Sequence, residues 1–162
     1  MKETEVLNSK EVEKVKKFLE TRQCDTEIFY TGESIFTVED ASRAVGAPHE
    51  EILKSLLLIV DGIPVLALMS GTNRVDLKKV KKLLGARKVS MAKPDYVYEY
   101  SGFRIGGVPP IGYKEQPMTL LDQDLFKYPN VWAAAGNDHS FFPISPSQLG
   151  EITNGRKAEI RK

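Results

Sequence analysis

The sequence predicts a single α+β domain organised around one long β-hairpin, and three observations carry that reading. First, the stretch ILKSLLLIVDGIPVLALM at residues 52–69 places two apolar runs on either side of Asp61-Gly62. This dipeptide is the strongest short-range hairpin signal, because glycine tolerates the positive backbone torsion that a tight type I′ turn demands. Second, both faces of the hairpin are apolar, so its strands are covered on both sides rather than wet on one. Third, segments with helical spacing precede and follow it, with no internal repeat, low-complexity tract or linker to mark a second domain. One domain over residues 1–162 follows, with an N-terminal helix within 1–25 and a tail at 155–162.

Composition agrees with this and narrows the function classes. A chain of 162 residues, 41% hydrophobic and 28% charged, holds a sizeable core and is not of the disordered class. One cysteine, Cys24, excludes an internal disulfide framework and any CxxC metal site. The start, MKETEVLNSKEVEK, has no apolar core of a signal peptide, and no run approaches membrane-span length, so the expectation is a cytoplasmic protein without membrane attachment. A net charge of +1 argues against nucleic-acid binding through bulk charge, while leaving room for a local basic surface.

Before the hairpin, Asn8 with Glu11 resembles a capping box, and Val12, Val15, Phe18 and Leu19 recur at helical spacing, predicting a helix over about 9–22. Residues 26–31 read as a strand ended by Gly32, and Thr37 caps a second helix that Gly46 stops. Pro48 suits the first turn of a further short helix leading into the hairpin. With a two-residue turn, Val60 faces Ile63 and Lys54 faces Met69. Lys54, Leu56, Leu58 and Val60 then share a face with Ile63, Val65, Ala67 and Met69.

After the hairpin, Ser70 to Asn73 make a turn, and Asp76 opens a helix closed by Gly85. Leu77, Val80, Leu83 and Leu84 lie on one side of it, and Lys78, Lys79, Lys81 and Lys82 fan over the other, with Arg87, Lys88 and Lys93 close behind. A strand at 86–90, a helix at 94–100 stopped by Gly102, a strand at 117–122, strands at 131–135 and 141–144 around Gly136, and a helix capped by Ser145 and running to about 153 complete the chain. The tail RKAEIRK reads as an edge strand or as frayed.

Few residues offer chemistry. His49 and His139 belong to no metal or triad spacing, Cys24 has no activating surroundings, and there is no P-loop or GxGxxG. Three features remain. Lys54 is the one cation on an apolar hairpin face; it is either a snorkelling strand-entry lysine or a cation set beside a pocket to bind an anion or a developing negative charge. The loop FRIGGVPPIG at 103–112 has glycines that open unusual backbone geometry and prolines that stiffen it. Its free donors are the amides of Gly106, Gly107, Val108, Ile111 and Gly112, and it is either a rigid surface turn or a presenter of N–H groups to a carbonyl or oxyanion. The lysine-rich helix is either a solvated face or a phosphate-contacting surface. The first two, with the small-residue strand ending Ala133-Ala134-Ala135-Gly136, fit catalysis by positioning and electrostatics, with a proton acceptor from outside the protein.

ILKSLLLIVDGIPVLAL, VDLKKVKKLLGARKVSMAKPD and SGFRIGGVPPIG, preceded by TVEDASRAVG, resemble the YbaK/ProX family, relatives of the editing domain inserted in bacterial prolyl-tRNA synthetases. The resemblance spans roughly residues 37–153 in order. It implies a compact α+β domain with a strongly curved, barrel-like mixed sheet flanked by helices. It also implies a trans-editing deacylase that hydrolyses mischarged tRNA, chiefly Ala-tRNA(Pro) or Cys-tRNA(Pro), needs no cofactor or metal, and has prolyl-tRNA synthetase as a candidate partner. The family's functional lysine matches Lys54, its G-x-x-x-P loop matches Gly106, Gly107, Val108, Pro109 and Pro110, and a later pocket glycine matches Gly136. The implied catalytic set is Lys54 with the amides of Gly106, Gly107 and Val108; the implied substrate wall adds Met69, Pro109, Pro110, Ala135 and Gly136.

Two departures bear on the amino acid removed. Cysteine-selective relatives carry Ser-Gly-Gly and a basic residue where this chain has Ala133-Ala134-Ala135-Gly136-Asn137-Asp138, and Tyr113-Lys114-Glu115-Gln116 is less basic than in some members. A wall of alanines leans toward Ala over Cys. The alternative is a non-catalytic module that binds tRNA or a synthetase through the basic surface at 78–93, with Lys78, Lys81 and Lys82 as its phosphate contacts.

Overall fold

Type I′ turn geometry is realised at the hairpin tip, where Asp61 and Gly62 both take positive φ, 49° and 81°. The computed structural model describes residues 3–162. β2 (Leu53–Val60) and β3 (Ile63–Ser70) pair in the register the sequence dictates, Val60 with Ile63 and Lys54 with Met69. The hairpin is covered on both faces. Leu53, Leu57, Leu66 and Leu68 join one core cluster, while Leu58, Val60, Val65, Ala67 and Met69 join another. Each fully buried leucine side chain contributes about 1.5–3 kcal/mol.

Ahead of the hairpin come α1 (Glu3–Leu7), α2 (Lys10–Thr21), β1 (Phe29–Tyr30) and α3 (Val38–Val45). The cap of α2 is Ser9, whose Oγ accepts from the Val12 N–H at 3.3 Å, because the Asn8 N–H is taken by the Thr4 carbonyl at the end of α1. β1 is shorter than the sequence predicts and pairs only with Phe141 and Ser140. Thr37 caps α3 and Gly46 ends it at φ 71°. A 3₁₀ turn over His49–Glu51 leads into β2.

Beyond the hairpin follow α4 (Leu77–Leu84), β4 (Val89–Met91), α5 (Pro94–Ser101), β5 (Met118–Asp122), β6 (Val131–Ala134), β7 (Ser140–Ile144), α6 (Pro146–Thr153) and β8 (Arg156–Ala158). β4 starts later than expected because the Asp61 carboxylate captures the N–H groups of Arg87 and Lys88 at 2.8–3.1 Å, holding that segment across the turn instead of in the ladder. The tail is an edge strand: β8 runs parallel to β5, and the Lys162 N–H donates to the Arg74 carbonyl.

The strands form a five-stranded mixed sheet in the order β4-β2-β3-β5-β8 and a three-stranded sheet in the order β1-β7-β6. The two meet at a parallel bridge between Ile52 and Trp132 without closing into a ring. Among the described residues no helix is long and apolar enough to cross a membrane.

Candidate functional site

β4 pairs only with Leu58–Val60 of β2, so the first half of β2 keeps an open edge. A cavity of about 320 Å³ lies there, lined by Ile52 to Leu56 of β2 and its entry, by Ile35 to Val38 and Ala41 around the start of α3, by Ile105, Gly106 and Val108, and by Ala134 and Phe141 of the smaller sheet. Lys54 and three residues of the glycine-proline loop, Ile105, Gly106 and Val108, therefore share one hollow.

That loop is held from behind. The buried Tyr113 hydroxyl donates to the Pro109 carbonyl at 2.7 Å, and Gln116 Nε2 donates to the Pro110 carbonyl at 2.9 Å. The Gly107 N–H is spent on the Arg104 carbonyl at 3.0 Å. No acceptor among the described residues receives the N–H of Gly106 or Val108. Gly106 sits at φ 97°, a backbone conformation that side chains resist. Of the three amides in the catalytic set the resemblance implies, those of Gly106 and Val108 thus remain unbonded, and both residues line the cavity.

The Lys54 ammonium donates to the main-chain carbonyl of Asn73. Partial burial pulls its pKa below the ordinary lysine value; the neighbouring Arg74 pulls in the same direction and Asp122 opposes them. The charge is held near a carboxylate without an ion pair. Asp122, fully buried, accepts from the Ser70 N–H at 3.1 Å and from Asn73 Nδ2 at 2.8 Å.

Several other nominated residues stand away from the cavity wall. Met69 pairs across from Lys54 but is fully buried in the core cluster under α4, because apolar packing claims the face they share. Pro109 and Pro110 are buried with their carbonyls tied down, which supports the loop rather than the lining. Ala135 is fully buried, and Gly136 packs against α2, where an added Cβ would stand 2.6 Å from the Glu11 carbonyl oxygen. Of the three alanines only Ala134 reaches the cavity, so the alanine wall expected from sequence is a single residue. Lys78, Lys81 and Lys82 are exposed on α4.

Sequence reasoning missed the rim. Phe36 is 69% and Ile105 61% exposed, and both border the cavity. Their only sequence signal was adjacency to Thr37 and Gly106. His139 lies outside the lining: its Nδ1 is 2.8 Å from Asp138 Oδ1, its Nε2 3.3 Å from Ser34 Oγ, and its ring stacks on Tyr30. Burial and Asp25 push the Cys24 thiol up, away from a reactive thiolate.

Fold and cavity together define an α+β domain in which Lys54, Gly106 and Val108 line a common hollow. The chain belongs to the aminoacyl-tRNA editing domain family, whose model matches residues 32–152. It is 32% identical to the uncharacterised protein YwhH of Bacillus subtilis (strain 168) over 82% of this chain and 83% of that one. It is 30% identical to EbsC of Enterococcus faecalis, provisionally named a Cys-tRNA(Pro)/Cys-tRNA(Cys) deacylase, over 82% of this chain and 81% of that one. A proline-tRNA ligase of Nitratidesulfovibrio vulgaris is 34% identical over 76% of this chain, which spans 20% of that enzyme. A crystal structure provisionally described as a trans-editing enzyme for prolyl tRNA synthetase superposes with a TM-score of 0.89 at 37% identity, covering 95% of this chain and 98% of that one.

Proposed function

We propose that this protein, a trans-editing aminoacyl-tRNA deacylase by family, removes a small amino acid, Ala or Cys, from mischarged tRNA(Pro) in the cytoplasm, with the acceptor end entering the cavity beside Lys54. The observation that carries this reading is the shared cavity of Lys54, Gly106 and Val108. The ammonium holds the terminal phosphate or ribose, and the two amides orient the ester carbonyl. Water attacks that carbonyl, the tetrahedral oxyanion accepts from the amides, and the ester C–O bond breaks to release the ribose oxygen and the free amino acid. One such donor is worth about 3 kcal/mol in the transition state. The substrate's α-amine takes the water's proton and returns it to the leaving ribose oxygen, or the neighbouring ribose hydroxyl relays it there by accepting one proton as it gives up its own.

Selectivity comes from cavity size, which excludes large side chains while separating Ala from Cys only weakly. The name of EbsC points to Cys, and Ala134 alone is thin support for Ala. Phosphate contacts are assigned to Lys78, Lys81 and Lys82, and prolyl-tRNA synthetase is the candidate partner. The test is release of amino acid from Ala-tRNA(Pro), Cys-tRNA(Pro) and Pro-tRNA(Pro). Release from the first or second but not the third supports the reading, and release from none removes it.

A further inference from the structure

Resting on that reading, we propose that Asn73 is a positioning residue for Lys54: two carboxylates grip its side-chain amide, and the peptide they thereby fix holds the Lys54 ammonium in place. The turn after β3 is fastened at both ends to one buried group. Asp122 Oδ2 accepts from the Ser70 N–H and from Asn73 Nδ2, and the Asn73 N–H closes the turn on the Ser70 carbonyl at 2.9 Å. The other hydrogen of the same amide goes to Asp124 Oδ2 at 2.9 Å. Asp124 is itself oriented by its N–H on Asp122 Oδ1 at 3.0 Å and by ion pairs with Lys127 and Arg161.

A primary amide is the neutral side chain whose two N–H groups bridge two carboxylates without adding charge. Asp at this position would bring a third carboxylate against the pair. Ala would leave the peptide free to turn. The main-chain carbonyl of Asn73, immobilised by these bonds, accepts from Lys54 Nζ. A lysine stem has large rotamer freedom, and an ammonium at the end of a free stem fixes an ester poorly. Arg74 and Asp122 act on the Lys54 charge directly, and Asp122 and Asp124 also reach it through Asn73.

Two measurements test the assignment, with melting curves confirming that each variant is folded. In a double-mutant cycle on the deacylation reaction, Asn73→Ala lowers kcat/KM by up to about 100-fold, the range for a misplaced reacting geometry. The same substitution made in a Lys54→Ala background changes it by less than about twofold, because a residue that acts through another adds nothing once that other is gone. Asp124→Ala, which removes one grip only, gives a smaller loss that Lys54→Ala likewise masks. Losses that add, or an Asn73→Ala enzyme as active as the parent, overturn the proposal.

The second measurement needs no substrate. Nitrogen-15 detection of lysine side chains shows slowly exchanging Lys54 ammonium protons in the parent and fast exchange in Asn73→Ala. Fast exchange in both overturns the proposal even where the parent deacylates normally. If the parent releases no amino acid, the deacylase reading fails while slow exchange in the parent alone still upholds the Asn73 assignment.

Discussion

The Tyr113 hydroxyl reaches back four residues and donates to the carbonyl oxygen of Pro109 at 2.7 Å, inside the loop from which Ile105, Gly106 and Val108 line the cavity. The bond is fully buried, with the Tyr113 ring packed edge-on against Phe103. It ties the Pro109 carbonyl to the core.

Tyr113→Phe removes only that donor and strands a buried carbonyl. The expected cost is about 1–3 kcal/mol of stability, together with a fall in deacylation that exceeds the fall in substrate binding. Thermal melts and separate kcat and KM values check it; unchanged kcat at full folding contradicts a positioning role for the loop.

Gly107 faces the backbone of Asn137, and an added Cβ would stand 2.6 Å from its Cα. Gly107→Ala therefore forces backbone apart and is expected to destabilise by about 1–3 kcal/mol as an overpacked site. Its own N–H is bonded to the Arg104 carbonyl, so activity per folded molecule is expected to fall only as far as the neighbouring amides move. Activity measured on the folded fraction makes the distinction.

Burial, then Arg74, lowers the Lys54 pKa from 10.5. The folded state thus disfavours the protonated lysine, and its stability contribution is fully present only above the unfolded value and is lost as pH falls through the lowered one. Titration of the Lys54 side-chain carbon signals is expected to give a midpoint below 10.5, moved upward by Arg74→Gln, which deletes the like charge. A midpoint at or above the ordinary value contradicts the described surroundings.

Lys78, Lys81 and Lys82 project from α4 into solvent, whereas Lys79 is tied to Glu159 at 2.8 Å. Neutralising the first three is expected to weaken tRNA binding and to flatten its salt dependence, the log–log slope falling by up to about 0.7–0.9 for each phosphate no longer neutralised. Neutralising Lys79 has a smaller effect. Binding isotherms at several salt concentrations decide it.

The hairpin was legible in sequence because its signals are local: an Asp-Gly pair, two runs of matched length, and a register that follows from counting. The α4 helix was equally legible from Asp76 and Gly85. The β4 start was not, since the Asp61 carboxylate reaches residues 26 and 27 positions away to claim their amides. The site divided the same way. Lys54 and the loop could be named from residue type and family likeness, but which of the loop's amides stay free depended on the Gly107 bond to Arg104. Asn73 looked like an ordinary turn residue until the fold set Asp122 and Asp124, 49 and 51 positions away, against its amide. Met69, matched to Lys54 by pairing, was claimed by the core because cross-strand neighbours share a face and that face packs under α4.

The claim on which the rest depends is that Lys54 works together with the amides of Gly106 and Val108 on one ester. Single-turnover release of amino acid from Ala-tRNA(Pro) and Cys-tRNA(Pro), compared between the parent and Lys54→Ala at equal folded concentration, tests it most directly. The account predicts release by the parent and a loss of about 100-fold or more in the variant; release at the parental rate by Lys54→Ala would contradict it.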